Sequence, residues 1–313
     1  MIKVGISHCL LGAPVRFDGG HKQNRFCKES LADYFQFVPL CPEVGIGMGT
    51  PRKTLRLVGD VDSPRAVFGH DTSQDFTDDL VHYADKHLAQ LQAMSGYVFC
   101  KGSPSCGTAR VKVYNAKGYA QKSGVGVFAA RVQQLMPLLP IEDDGRLNDP
   151  LLRDSFIKRV YIYHEWQQLL QDGLTVAKLQ KFHARHKLNL LSHCQKTYRH
   201  LGPIVAKINK QNIAMESERY IHHLMMGFKK VATRKNNANV LMHLQGYLKH
   251  RLPTEDRQEL AQLILDYRKG ILPLLSPLTL LKHHFKHNKD AYIEQQSFLD
   301  PYPKELAIRV VMQ

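Results

Sequence analysis

The hydrophobic pattern of this chain changes once, across the acidic, turn-rich segment "LPIEDDGRLNDP" (139–150), and that change constrains its fold more than any other feature. Before it, "IKVGIS" (2–7), "FQFVPL" (35–40), "LRLVG" (55–59) and "GYVFCK" (96–101) read as short buried strands. Segments 72–94 and 126–139 read as helices, the first with Ser or Thr as its cap and acids in its first turn. Strands alternating with helices predict an α/β domain with a mainly parallel sheet. After the change, 151–171, 175–193, 217–232, 236–252 and 255–272 all carry apolar residues at helical spacing, with Pro253 and Pro273 stopping two of them. The second half is expected to be all-α. The expected division is an α/β domain over 1–145, a helical connector over 146–178 and an all-α domain over 179–313.

Charge follows the same division. Residues 1–145 hold 16 Lys and Arg against 14 Asp and Glu, whereas residues 146–313 hold 27 against 14, an excess of +13. Twelve of the seventeen histidines lie in the second half as well. Such a surface draws polyanions over about one Debye length, ~8 Å at physiological salt. Nucleic acid is therefore the expected partner. An acidic membrane surface fits less well, because the basic residues are dispersed. No apolar window approaches a membrane span and no secretory leader is evident, so the chain is read as cytoplasmic, with reduced cysteines.

Three of the six cysteines share a setting. Cys9 in "SHCLLG", Cys41 in "LCPEVGIGMG" and Cys106 in "GSPSCG" each follow a predicted strand, or close the loop that follows one. Loops at the carboxyl ends of neighbouring parallel strands converge on one crevice, where α/β ligands bind. Spacing alone still favours three unrelated buried cysteines, since no CxxC pair is present. Zinc with His8 as a further ligand, a nucleophilic cysteine and an iron–sulfur cluster all stay open at this level. If the three thiols meet, Glu43 and Ser103 arrive with them, a carboxylate and a hydroxyl beside soft ligands. Cys100 reads as a strand residue facing the core, and Cys27 and Cys194 as structural.

Other motifs carry less. "GIGMGTPRKT" lacks the GK[ST] ending of a phosphate loop, although Arg52 is a candidate for a phosphate or nucleobase contact. His183 and His186 lie one turn apart, but a basic, solvated, RNA-facing helix is the favoured reading of "FHARHK". Lys181, Arg185 and Lys187 on that helix are the expected phosphate contacts. Tyr198, Tyr220 and Tyr247 are expected in the core rather than stacked on bases.

"SHCLLGAPVRFDGG", "CPEVGIGMGTPR" and "GSPSCG", in that order, resemble the thiouracil desulfidase family. From "LNDPLLRDSFIKRVYIYHEW" through "FHARHKLNLLSHCQKTYRHLG" the second half resembles the helical domain fused to it in the longer members, which are associated with 4-thiouridine in tRNA. The resemblance implies a [4Fe–4S] cluster held by Cys9, Cys41 and Cys106 with one iron lacking a protein ligand. It implies Glu43 and Ser103 as catalytic groups, and a non-redox, hydrolytic removal of sulfur from thiolated uracil that yields uridine and sulfide. Action on free thiouracil, or a non-catalytic zinc and nucleic-acid-binding stress protein, are the alternatives. One departure is visible: the loop after the second motif reads "VGIGMGTPR", with its glycines shifted and Met48 among them.

Overall fold

A computed structural model of the chain describes residues 1–306. Residues 1–156, with Glu305 and Leu306, form one compact unit, and residues 157–304 form another. The first unit is α/β and the second is helical, as the change of pattern predicts. The division falls after Phe156, inside a long helix rather than at the acidic turn.

In the first unit, β1 (Ile2–Ser7), β2 (Phe35–Leu40), β5 (Tyr97–Phe99) and β8 (Ile141–Asp143) form a four-stranded parallel sheet in the order β2-β1-β5-β8. Pairing Ser7 with Leu40, Ile6 with Val98 and Phe99 with Asp143 brings all four carboxyl ends to one edge. A second sheet, β4-β3-β6-β7, is mixed: β3 (Leu55–Val58) runs parallel to β6 (Val111–Tyr114) and antiparallel to β4 (Arg65–Phe68), and β6 pairs antiparallel with β7 (Ala120–Gly124). β4, β6, β7 and β8 are findings, since those segments are short, β7 is almost entirely exposed and β8 lies inside the acidic segment read as a turn-rich boundary.

The helix expected over 72–94 is two helices, α2 (Thr77–Lys86) and α3 (Leu88–Gln92), that follow the single turn α1 (Pro42–Gly45). Its early start fails because Asp71 accepts from the Ser73 amide and hydroxyl, and Asp75 from the Thr77 amide and hydroxyl. These Asx turns compete with the helix ladder until residue 77. α4 (Val127–Leu135) buries Val127, Phe128, Ala129 and Val132, and Phe128 packs edge-on against Tyr97 and Phe99.

α5 (Pro150–Gln171) leads into α6 (Val176–His193), α7 (Gln195–Lys207), α8 (Ile213–Phe228), α9 (Arg234–Gly246), α10 (Thr254–Lys269), α11 (Leu275–His287) and the single turn α12 (Ala291–Glu294). α7 keeps its course through Gly202 and Pro203, the residues that mask it in the sequence. Thr175 and Thr233 cap α6 and α9 by accepting the amides of Lys178 and Asn236. Leu188, Leu191, Leu241, Leu244, Leu260, Ile264 and Leu281 make the heart of this unit.

The histidines of "FHARHK" in α6 are not solvated. His183 and His186 are both buried: His183 Nδ1 meets the Tyr220 hydroxyl at 3.3 Å, and His186 sits between Ser297 Oγ at 2.9 Å and Glu165 Oε2 at 3.1 Å. Tyr220 is in the core as expected, whereas Tyr247 is exposed and stacked on Tyr292. Burial, then the charges of Lys187 and His186, draw the His183 imidazole down to about 4. The unfolded chain therefore binds the extra proton first. The stability His183 lends is complete above pH 6.5, the ordinary value, and is lost as pH falls through 4. That amounts to on the order of 3 kcal/mol. Denaturant midpoints measured across that range should fall for the wild type and fall less for His183→Gln.

Candidate active site

The aligned strand ends open into a cavity of about 220 Å³. Cys9 lies two residues past β1 and Cys41 one past β2, while Cys106 closes the loop after β5. All three line the cavity, with Glu43 and Ser103 beside them. The five site residues expected of the first unit therefore come together.

A fourth thiol joins them. β5 ends at Phe99, so Cys100 is the first loop residue and lines the same cavity instead of facing the core. Its amide donates to Ser7 Oγ at 3.0 Å. The Lys22 ammonium stands 3.9 Å from Cys100 Sγ and 3.0 Å from Asp144, which directly follows β8. The neighbouring Cys9 thiol, with help from Lys22 and against burial, draws the Cys100 thiol below its usual range, while the Cys100 thiol and burial push Cys9 up. Burial also raises Cys41 and Cys106. Cys27, buried with no place on the cavity, is pushed up to about 12 by burial.

Glu43 is held from two sides. Arg52 Nε donates to Oε2 at 2.9 Å and Nη2 to the same oxygen at 2.5 Å. Nη1 of Arg52 is spent on the Val15 and Gly49 carbonyls, both at 3.0 Å. The guanidinium is 5 % exposed, so it positions Glu43 and is closed to a phosphate. Met48 packs on the core beneath the second sheet, which accounts for its place in the loop that carries Arg52.

Glu43 Oε1 accepts from Ser105 Oγ at 2.5 Å, and Ser105 Oγ lies 3.0 Å from Ser103 Oγ. Ser103 does not touch Glu43 directly; Ser105, absent from the sequence reading, is the link. Ser103 Oγ accepts the amides of Cys106 at 3.1 Å and Ser105 at 3.3 Å. Because an ionised carboxylate only accepts, the Ser105 proton points at Glu43 and the Ser103 proton at Ser105. The loop is pressed against Gly126, where a Cβ would stand 2.6 Å from the Ser105 carbonyl.

The donor set suits a cluster better than one ion. Among the described residues no three His, Cys, Asp or Glu side chains converge on a single metal position. Cys9, Cys41 and Cys106 instead line one cavity, as a cluster held by several thiolates would need. His8 lines that cavity too, without joining such a group.

The phosphate contacts expected in the second unit fare differently. Lys181 is exposed. Arg185 donates to Glu165 at 3.2 Å and to the Gln295 carbonyl at 3.0 Å, and the Lys187 ammonium sits over the Tyr292 ring at 4.9 Å. Two of the three thus have internal work. Among the described residues no helix is long and apolar enough to cross a membrane.

Comparison with known proteins adds to this geometry. A family described as 2-thiouracil desulfurase matches residues 4–144, and one described only as a protein of unknown function, DUF1722, matches residues 187–303. The uncharacterized protein YbgA of Escherichia coli K12 is 37 % identical over 157 residues, 50 % of this chain and 93 % of that protein. The solved [4Fe–4S]-dependent thiouracil desulfidase TudS is 27 % identical with a TM-score of 0.39, covering 47 % of this chain and 94 % of its own.

Proposed function

We propose that the chain, whose residues 4–144 match a family described as 2-thiouracil desulfurase, removes sulfur from 4-thiouridine in tRNA with a [4Fe–4S] cluster held by Cys9, Cys41 and Cys106. The observation that carries this reading is the ring of thiols beside an anchored carboxylate at the carboxyl edge of a parallel sheet. A bound cluster would supply a soft Lewis-acidic iron that takes the substrate sulfur and weakens its bond to carbon.

The chain's own residues then handle water and protons. Arg52 occupies Oε2 of Glu43, which leaves Oε1 as the oxygen that exchanges a proton. Glu43 acts there as general base toward the water that attacks the thiolated ring carbon. Once protonated, Oε1 donates to Ser105, Ser105 turns its own proton to Ser103, and Ser103 presents a proton to the departing side of the ring. Water and the thiocarbonyl give the carbonyl and hydrogen sulfide, with no net electron transfer.

The basic second half is the tRNA handle in this proposal. Its affinity should fall about a thousandfold between 50 and 200 mM salt if some six phosphates are neutralised. Lys181→Glu should lower the salt slope by about one, whereas Arg185→Glu disturbs the contacts to Glu165 and Gln295 instead. Titration of tRNA at several salt concentrations checks this, and a flat profile would remove RNA as the partner. The reaction itself is tested by incubating the loaded protein with 4-thiouridine-containing tRNA and with free thiouracil. Uridine in the digested tRNA and matching sulfide are expected; turnover of the free base alone would overturn the tRNA assignment.

A further inference from the structure

The wall of the cavity opposite its thiols carries a different chemistry. Phe17 supplies the one hydrocarbon ring among the described lining residues, and it is 38 % exposed instead of packed into the core. Arg16 stands beside it on the same wall. Its guanidinium lies 5.4 Å from the Phe17 ring centroid and meets Asp18 only at 3.8 Å, beyond hydrogen-bond distance. Asp18 Oδ1 accepts instead from the Gly20 amide at 3.0 Å. The other two cations of the lining are engaged. Arg52 holds Glu43 and two carbonyls. The Lys101 ammonium shares the space over Gly145 with an Asp143 oxygen, 3.0 and 3.2 Å from where a Cβ would stand.

The Phe17 backbone is fixed relative to the carboxylate. The Arg52 amide donates to the Phe17 carbonyl at 2.8 Å and its Nη1 to the Val15 carbonyl at 3.0 Å, while Nε and Nη2 hold Glu43. One residue thus sets both the carboxylate and the strip of chain that bears the ring. An open aromatic face next to a free cation suits a nucleotide, whose base stacks and whose phosphate pairs. We infer that Arg16 and Phe17 form a pyrimidine-nucleotide subsite, with Phe17 under the base and Arg16 on a phosphate attached to it. The inference rests on the desulfidase reading above and deepens it. Stacking is blind to the difference between sulfur and oxygen, so this wall holds the thiolated ring and its uridine product alike. It also favours a nucleotide over the free base.

The test uses the full chain, reconstituted anaerobically, and calorimetric titration with uridine and with uridine 3′,5′-bisphosphate. Neither probe carries sulfur. Phe17→Ala should weaken both by about 5- to 150-fold, the range for losing one stacked base, while Phe17→Tyr keeps a ring and stays within about twofold of wild type. Arg16→Ala should weaken the bisphosphate about tenfold and leave uridine unchanged. Iron content and circular dichroism should match wild type in all three, since both side chains reach solvent. Phe17→Ala binding both probes as tightly as wild type would overturn the stacking role, and equal losses for both probes in Arg16→Ala would overturn the phosphate role. A wild type that binds neither probe overturns the subsite outright. If the wild type releases sulfide from 4-thiouridine-containing tRNA while these titrations fail, this inference falls alone. If it releases none, the desulfidase reading falls and the inference with it.

Discussion

Cys106→Ala should bind almost no iron, where the wild type binds roughly four per chain, and should do so while remaining folded. The thiol stands in the tightest part of the site: its amide donates to Ser103, Ser105 Oγ lies 3.7 Å from its sulfur, and Gly126 supports the loop from beneath. Removing one small side chain from a loop fixed by its backbone deletes a ligand without moving its neighbours. Cys9→Ala and Cys41→Ala should behave alike. Cys27→Ala, by contrast, should keep its iron and lose only stability, because its sulfur is fully buried away from the cavity. Iron and sulfide analysis beside a circular-dichroism spectrum separates these outcomes. Full iron content in Cys106→Ala would overturn its assignment as a ligand.

Glu43→Gln should keep the cluster and lose turnover by about 10²–10⁴-fold, the usual range for a general acid or base. The amide is nearly the same shape, but it cannot take the proton at Oε1, and one of its two faces must present N–H to the donors on Arg52 or Ser105. Ser105→Ala cuts the link between Ser103 and Glu43, so its loss should exceed that of Ser103→Ala. Sulfide release measured beside the visible cluster absorbance reads both. If Ser103→Ala proves the more damaging, the proton does not travel through Ser105, and if Glu43→Gln turns over normally the carboxylate is not the base.

How far the sequence could be read depended on where each contact came from. The strand-end settings of Cys9, Cys41 and Cys106 are legible because β1, β2 and β5 are short, apolar and bounded by turn residues, but spacing alone favours three unrelated cysteines, and only the family resemblance joins them into one site. Cys100 was lost because strand ends can be placed only within a residue or so. One residue decides whether a side chain faces the core or the crevice, and β5 stops at Phe99. Arg52 looked like a free cation because nothing in "GIGMGTPR" shows that the loop turns back over Glu43. Ser105 carries no signal of its own beside Cys106; its role exists only once a loop 62 residues away is folded against it. His186 was misjudged for a similar reason. A helix rich in Lys, Arg and His looks solvated, but Glu165 and Ser297, 21 and 111 residues distant, close over it. Period and turn chemistry are local and visible, whereas partners across the fold are not.

The cysteines of this site come from separate strand ends rather than from one short loop. In small metal-bound domains the ion is the core, and losing it unfolds the chain. Here Val4, Ile6 and Val98 of the parallel sheet are fully buried, and Tyr97, Phe99 and Phe128 pack on one another outside the cavity that the thiols line. On the function proposed above, loss of the cluster should therefore leave the sheet folded and its cysteines in place. A protein built that way would be open to repair in place by a fresh supply of iron and sulfide, without passing through the unfolded state or being made anew.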